Sequence, residues 1–198
     1  MPDSPLFHCI GDSHASFFSG RDRMCPKWPE GDAKSRLPFF RSYRLGPVLA
    51  YNLGTPGTAS RGHERLTELL QSHIAPPAWL MLCFGEIDCR AHFLKQAARQ
   101  QRPPEAIVED CLDRYFGVAL SLSRQGYNLC LYNAAPSCLR PVNKTQFPTV
   151  GTCRERNAVT RLFNDGLARR CADARFPFLT NFDALVGPDG HSHPWAFF

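Results

Sequence analysis

Cys9-Ile10-Gly11-Asp12-Ser13-His14 sets a carboxyl, a hydroxyl and an imidazole directly after a short apolar run. Leu6 to Ile10 reads as a buried strand, and Gly11 allows the sharp reversal that would present Ser13 at its carboxyl edge. A serine displayed there, beside free main-chain N–H groups, has the makings of a nucleophile with half an oxyanion hole. The same residues also suit a serine that only N-caps the helix opening at His14, so both readings stand. Asp12 is better suited to fixing the turn by local hydrogen bonding than to chemistry. His14 reads as a pocket residue or a helix start, because neighbours in sequence normally point apart.

A second cluster, Phe84-Gly85-Glu86-Ile87-Asp88-Cys89-Arg90-Ala91-His92, follows the most apolar run of the chain, Trp79 to Phe84. Glu86, Asp88, Arg90 and His92 crowd one strand-to-helix turn. In open parallel sheets ligands bind at the carboxyl ends of the strands, and strands one and three are usually neighbours. The two turns should therefore face each other. The competing reading makes Glu86 and Asp88 first-turn carboxylates that complement a helix dipole, with Arg90 and His92 solvated. Cys89 and His92 have a spacing that could share a metal with Glu86, but nothing else supports one.

Strand-like and helix-like segments alternate, which predicts an α/β domain with a mostly parallel, five-stranded sheet over residues 1–198. The other strands are expected at Phe39–Leu45, Tyr127–Tyr132 and Phe176–Leu179, the last weakened by Pro177. Gly46-Pro47 should close the second strand and open a short helix. Helices are expected over Arg61–His73, from Pro104 to about Gln125, and from Thr152, where Thr152-x-x-Glu155 makes a capping box. Val108, Cys111, Leu112, Tyr115, Val118, Ala119 and Leu122 form the apolar stripe of the second of these. Asn181 to Phe198 reads as a loop. Its aromatic end, Trp195, Phe197 and Phe198, could dock on a partner.

The 198 residues carry a net charge of +5, yet the arginines are scattered and no Lys/Arg run occurs. That argues against nucleic acid and is weak support for an anionic substrate. The nine cysteines include no Cys-x-x-Cys pair, and most fall in apolar runs. Free thiols, a reducing cytoplasm and no membrane segment are expected.

Together the two clusters resemble the SGNH (GDSL-type) hydrolases, a superfamily of esterases, lipases and carbohydrate acyl-hydrolases. More narrowly they are similar to bacterial SGNH-like proteins associated with polysaccharide modification. The resemblance implies a flavodoxin-like three-layer α/β/α sandwich with no cofactor and no metal. Gly11-Asp12-Ser13 matches the first block and its nucleophile. Gly46 matches the second-block glycine whose N–H joins that of Ser13 in the oxyanion hole, with Asn52-Leu53-Gly54-Thr55-Pro56-Gly57 as a rival placement. Gly85-Glu86-Ile87-Asp88 occupies the third block, where Ile87 replaces an asparagine that donates to the oxyanion. Such a loss typically costs about a hundred- to a thousandfold in rate unless another group, such as Arg90, replaces it. The family's Asp-x-x-His block is absent from the sequence. Its nearest counterpart is Asp189-Gly190-His191-Ser192-His193, giving His193, or else His191, as general base with Asp189 orienting it. Otherwise the block would lie beyond Phe198.

These features imply a serine-dependent ester hydrolase, or a related acyltransferase, acting on an acylated carbohydrate or a small-molecule ester. Asp12, His14, Glu86, Asp88 and Arg90 would contact the substrate. The alternative is a catalytically impaired module that binds a glycan or an anionic metabolite. Oligomeric state is not legible.

Overall fold

A computed structural model describes residues 5–31, 34–140 and 147–193. The centre of the Pro-rich loop after the fourth strand and the aromatic end of the tail lie outside these residues. Five parallel strands, β1 (Phe7–Gly11), β2 (Phe40–Arg44), β3 (Trp79–Cys83), β4 (Asn128–Tyr132) and β5 (Phe178–Leu179), form one sheet in the order β2-β1-β3-β4-β5. This is the doubly wound order in which β1 and β3 are neighbours. Both faces of the central strands are covered, so these strands are apolar throughout instead of alternating. Ile10, Leu80, Leu82, Leu129 and Leu131 pack with helices α1 (Gly62–His73), α3 (Pro104–Arg124) and α4 (Cys153–Ala174). Cys9, Met81, Cys83, Cys130 and Tyr132 form the opposite layer, against Ala15 and Phe18 of a 3-10 helix, Ser13–Ser19.

The elements start where their residues require. Pro104 stands at the first position of α3, where its missing N–H costs nothing. The Thr152/Glu155 capping box opens α4. The α3 stripe is buried apart from Val118, which is half-buried. Two expectations need correction, and one feature was not expected. Pro47 does not begin a helix; a single 3-10 turn, Ala50–Asn52, comes three residues later. The tail contains a short helix, α5 (Phe182–Leu185). Helix α2 (Phe93–Gln100) is entered through a π-helical turn, Asp88–His92, in which one extra residue per turn breaks the periodicity a sequence could show.

All nine cysteines are free thiols. No described helix is long and apolar enough to cross a membrane.

Gly11 fixes how closely β1 approaches β3. A Cβ there would collide with the carbonyl oxygen of Cys83 and stand 2.8 Å from its Cβ. Gly11→Ala must push two central strands apart, and overpacking of this kind costs about 3 kcal/mol or more. A urea-denaturation midpoint indistinguishable from wild type would contradict that close approach.

Candidate active site

Strand register builds the rim of the sheet. Gly11 pairs with Arg44 on one side and with Cys83 on the other. Gly46, Ser13 and Gly85 each lie two residues beyond these paired positions, past the same edge of the sheet. The Leu45 N–H donates to the Gly11 carbonyl at 2.8 Å, carrying the pairing past the strand end. Gly46 (φ +105°) and Gly85 (φ +115°) both occupy the left-handed side of conformational space that favours glycine. Among the described residues neither the Ser13 N–H nor the Gly46 N–H donates a hydrogen bond, although Gly46 is buried. Unpaired donors in such a place are uncommon, and they suit an incoming oxyanion. Gly54, the rival, is exposed against Val118 of α3, in a groove between α1 and α3.

The helix after β1 is capped by Asp12 and not by Ser13. Asp12 is fully buried, and its Oδ1 accepts the backbone N–H of His14 at 2.8 Å. This is the local turn-fixing bond expected of it. The Ser13 side chain is left exposed, with no hydrogen-bond partner among the described residues. Ser13 and His14 together line a cleft of about 280 Å³, with Phe17, Arg21, Arg23 and Met24 around it.

His14 makes a second contact with the same carboxylate, Nδ1 to Oδ1 at 3.0 Å. Burial alone would lower the imidazole pKa. The charge and hydrogen bond of Asp12, helped by Glu86 and opposed by Arg90, raise it above the ordinary value instead. β1 and β3 pair in parallel up to Gly11 and Cys83, so the turns that follow them leave the same edge of the sheet.

Glu86 and Arg90 are not solvated. Arg90 Nε donates to Glu86 Oε1 at 2.7 Å, with both side chains mostly buried. A second guanidinium nitrogen donates to the Phe147 carbonyl at 2.6 Å. Ile87 is buried, so the missing asparagine donor has no stand-in from that position. His92 is half-buried and beside Phe147; burial, then Lys95, lowers its pKa.

Asp88 works inside the scaffold. Its carboxylate is wholly buried and accepts the N–H groups of Ala50 (2.7 Å) and Tyr51 (3.3 Å), tying the third-strand turn to the segment after Gly46. Burial pushes its pKa up to about 7 despite these bonds, and Asp12 adds to the rise. The expectation that Asp12 and Asp88 contact substrate is therefore corrected: with no exposed surface, they position other groups.

In the tail, Asp189 Oδ2 and His191 Nδ1 are 3.2 Å apart, both well exposed. The backbone N–H of His193 donates to the Leu185 carbonyl. Asp189 lines a different cleft from Ser13, with Arg154, Asn157 and Arg161 of α4. Sequence reading missed what anchors this segment. Ser192, buried, donates to the Ser137 carbonyl and accepts from Asn157, while Arg156 is buried against Ser137 and the carbonyls of Gly151 and Cys138. A lone polar residue within an apolar helix face was the available signal, and Asn157 and Thr160 both carry it.

No family profile and no curated protein matches the sequence. Solved structures do match. Est24, a carbohydrate acetylesterase from Sinorhizobium meliloti, aligns over 96% of this chain and 89% of its own at 15% identity, with a TM-score of 0.55. The native aryl esterase of M. smegmatis aligns over the same shares at 14% identity and a TM-score of 0.53. The fold is that of the SGNH hydrolases. At such low identity the likeness speaks for the fold, and the chemistry has to come from the site.

Proposed function

We propose that this SGNH-fold chain is a serine-dependent ester hydrolase acting on acylated carbohydrates or similar small acyl esters. The observation that carries the reading is Ser13 itself: exposed just past the carboxyl end of β1 and relieved of capping by Asp12, with Gly46 just past the end of the neighbouring β2. Its Oγ attacks the acyl carbonyl, and the N–H groups of Ser13 and Gly46 receive the developing oxyanion. The carbohydrate acetylesterase among the structural matches supports the substrate class.

Arg90, held by Glu86, is assigned to the oxyanion or to an anionic part of the substrate, in place of the donor that Ile87 cannot supply. Arg90→Ala is then expected to lower kcat/KM on p-nitrophenyl acetate about a hundredfold. A change of less than threefold would remove Arg90 from the site.

The resemblance supplies one candidate for the base, His193 or His191 oriented by Asp189, and the 3.2 Å contact of Asp189 with His191 favours it. The second functional reading is a binding module for a glycan or anionic metabolite, favoured by buried Ile87 in the donor position. Hydrolysis of short-chain p-nitrophenyl esters and acetylated sugars tests the proposal. Turnover that survives in Ser13→Ala would refute it.

A further inference from the structure

The chain that follows the first turn reads Gly20-Arg21-Asp22-Arg23-Met24-Cys25. Gly20, at φ +63°, ends the 3-10 helix and donates its N–H to the Phe17 carbonyl. The Arg21 N–H donates to the Ser19 hydroxyl at 3.2 Å. At the far end the Cys25 N–H donates to the buried Ser16 hydroxyl at 3.0 Å, and Nε of Arg44 on β2 donates to the Cys25 carbonyl. Residues 21–24 therefore form a short loop pinned at both ends on the helix that Ser13 opens. They line the same cleft of about 280 Å³ as Ser13 and His14. We infer that the ester cleaved at Ser13 is carried by a negatively charged sugar unit, whose carboxylate or sulfate is held by Arg21 and Arg23. This rests on Ser13 being the nucleophile and adds the charge of the substrate to that reading.

The charge of the wall is the first support. Arg21 and Arg23 are both exposed on the cleft, and Arg23 has no hydrogen bond or ion pair among the described residues. Surface arginines elsewhere meet carboxylates closely: Arg102 stands 2.7 Å from Asp110, and Arg161 2.7 Å from Asp183. Among the described lining residues of the cleft Asp22 is the only carboxylate, and Nη1 of Arg36 lies 3.6 Å from it. A guanidinium offers a rigid fork of donors that matches a carboxylate or sulfate two oxygens at a time.

The apolar part of the wall is the second. Phe17 and Met24 are the two most exposed large apolar side chains described, and both line this cleft. Exposed apolar surface grouped at a cleft marks a binding site more often than an accident of folding. The His14 ring packs edge-on against Phe17, with centroids 5.2 Å apart, which steadies the aromatic side. A sugar ring has the matching pair of surfaces, a C–H face for the aromatic and polar substituents for the guanidinium groups. Size is the third support. Ligand pockets usually run from about 300 to 1,000 Å³, so this cleft suits one sugar unit with a short acyl group and not an extended acyl chain.

The test compares kcat/KM on three mono-acetylated substrates: a methyl glucoside, a methyl glucuronide and a methyl glucoside sulfate. Wild type is expected to prefer the acidic substrates about tenfold in total, from two exposed charge-assisted contacts. The preference should lie mainly in KM, because the anion is held equally before and during the reaction, and it should shrink at high salt. The double variant Arg21→Gln/Arg23→Gln should lose it. Arg124→Gln makes the same kind of charge change at the end of α3 that leads into the start of β4, the opposite edge of the sheet, and should keep it. A preference for only one of the two acidic substrates supports the inference and identifies the anion. Equal kcat/KM on all three, or a preference that survives the double variant, would overturn it and leave the serine-esterase reading standing. So would a preference for p-nitrophenyl hemisuccinate over the acetate with none among the sugars, which would put the anion on the acyl side. The salt series on wild type decides the matter even if the double variant does not fold: a preference unchanged by salt refutes the ionic contact. Absence of Ser13-dependent turnover on every ester would overturn both readings.

Discussion

Ser13→Ala is expected to abolish ester hydrolysis, lowering kcat on p-nitrophenyl acetate on the order of 10⁴- to 10⁶-fold while leaving the thermal midpoint almost unchanged. The two halves of that expectation have separate causes. Activity falls because the attacking hydroxyl is removed. Stability stays because the Ser13 side chain is exposed and bonds to nothing among the described residues, while Asp12 keeps capping the helix. A parallel loss of both would mean that Ser13 has a structural duty. Retention of both would mean that the hydroxyl is idle.

Replacing Asp88 should produce the largest loss of stability among the polar residues near the site. Asp88→Ala strips the N–H groups of Ala50 and Tyr51 of their acceptor in a buried setting, at a cost of about 2–4 kcal/mol. The wild-type carboxyl also leaves a signature in pH. Its pKa is about 7 in the folded state against 3.8 when unperturbed, so between these values the native protein holds a proton the unfolded chain has released. Stability contributed by this group is therefore greatest below about pH 4 and falls as pH rises to 7. Across roughly three units the difference is about 4 kcal/mol. Chemical denaturation at pH 4.5 and pH 7.5 should show this decline in wild type and its flattening in Asp88→Asn. An unchanged slope in the variant would mean that another group governs the window.

Much of the fold was legible because its signals are local. The apolar run Trp79–Cys83, the stripe of α3 and the Thr152/Glu155 box each report their own element, and the β1–β3 adjacency follows from the usual order of parallel sheets. The π-helical turn at Asp88 was not legible, since a single extra residue in one turn leaves no periodic trace. At the site, the crowding of Glu86 and Arg90 was readable, but their mutual bond depends on that turn and could not be foreseen. Asp88 looked like a residue that meets substrate, because nothing in its neighbours reveals that Ala50 and Tyr51, 38 and 37 residues earlier, present N–H groups to it.

Treatment of the purified chain with a fluorophosphonate, followed by peptide mass spectrometry, asks most directly whether Ser13 is a nucleophile. A single adduct on the peptide carrying Ser13, lost in Ser13→Ala, is the result expected. An unmodified chain, or an adduct on another serine, would contradict the assignment and favour the binding module.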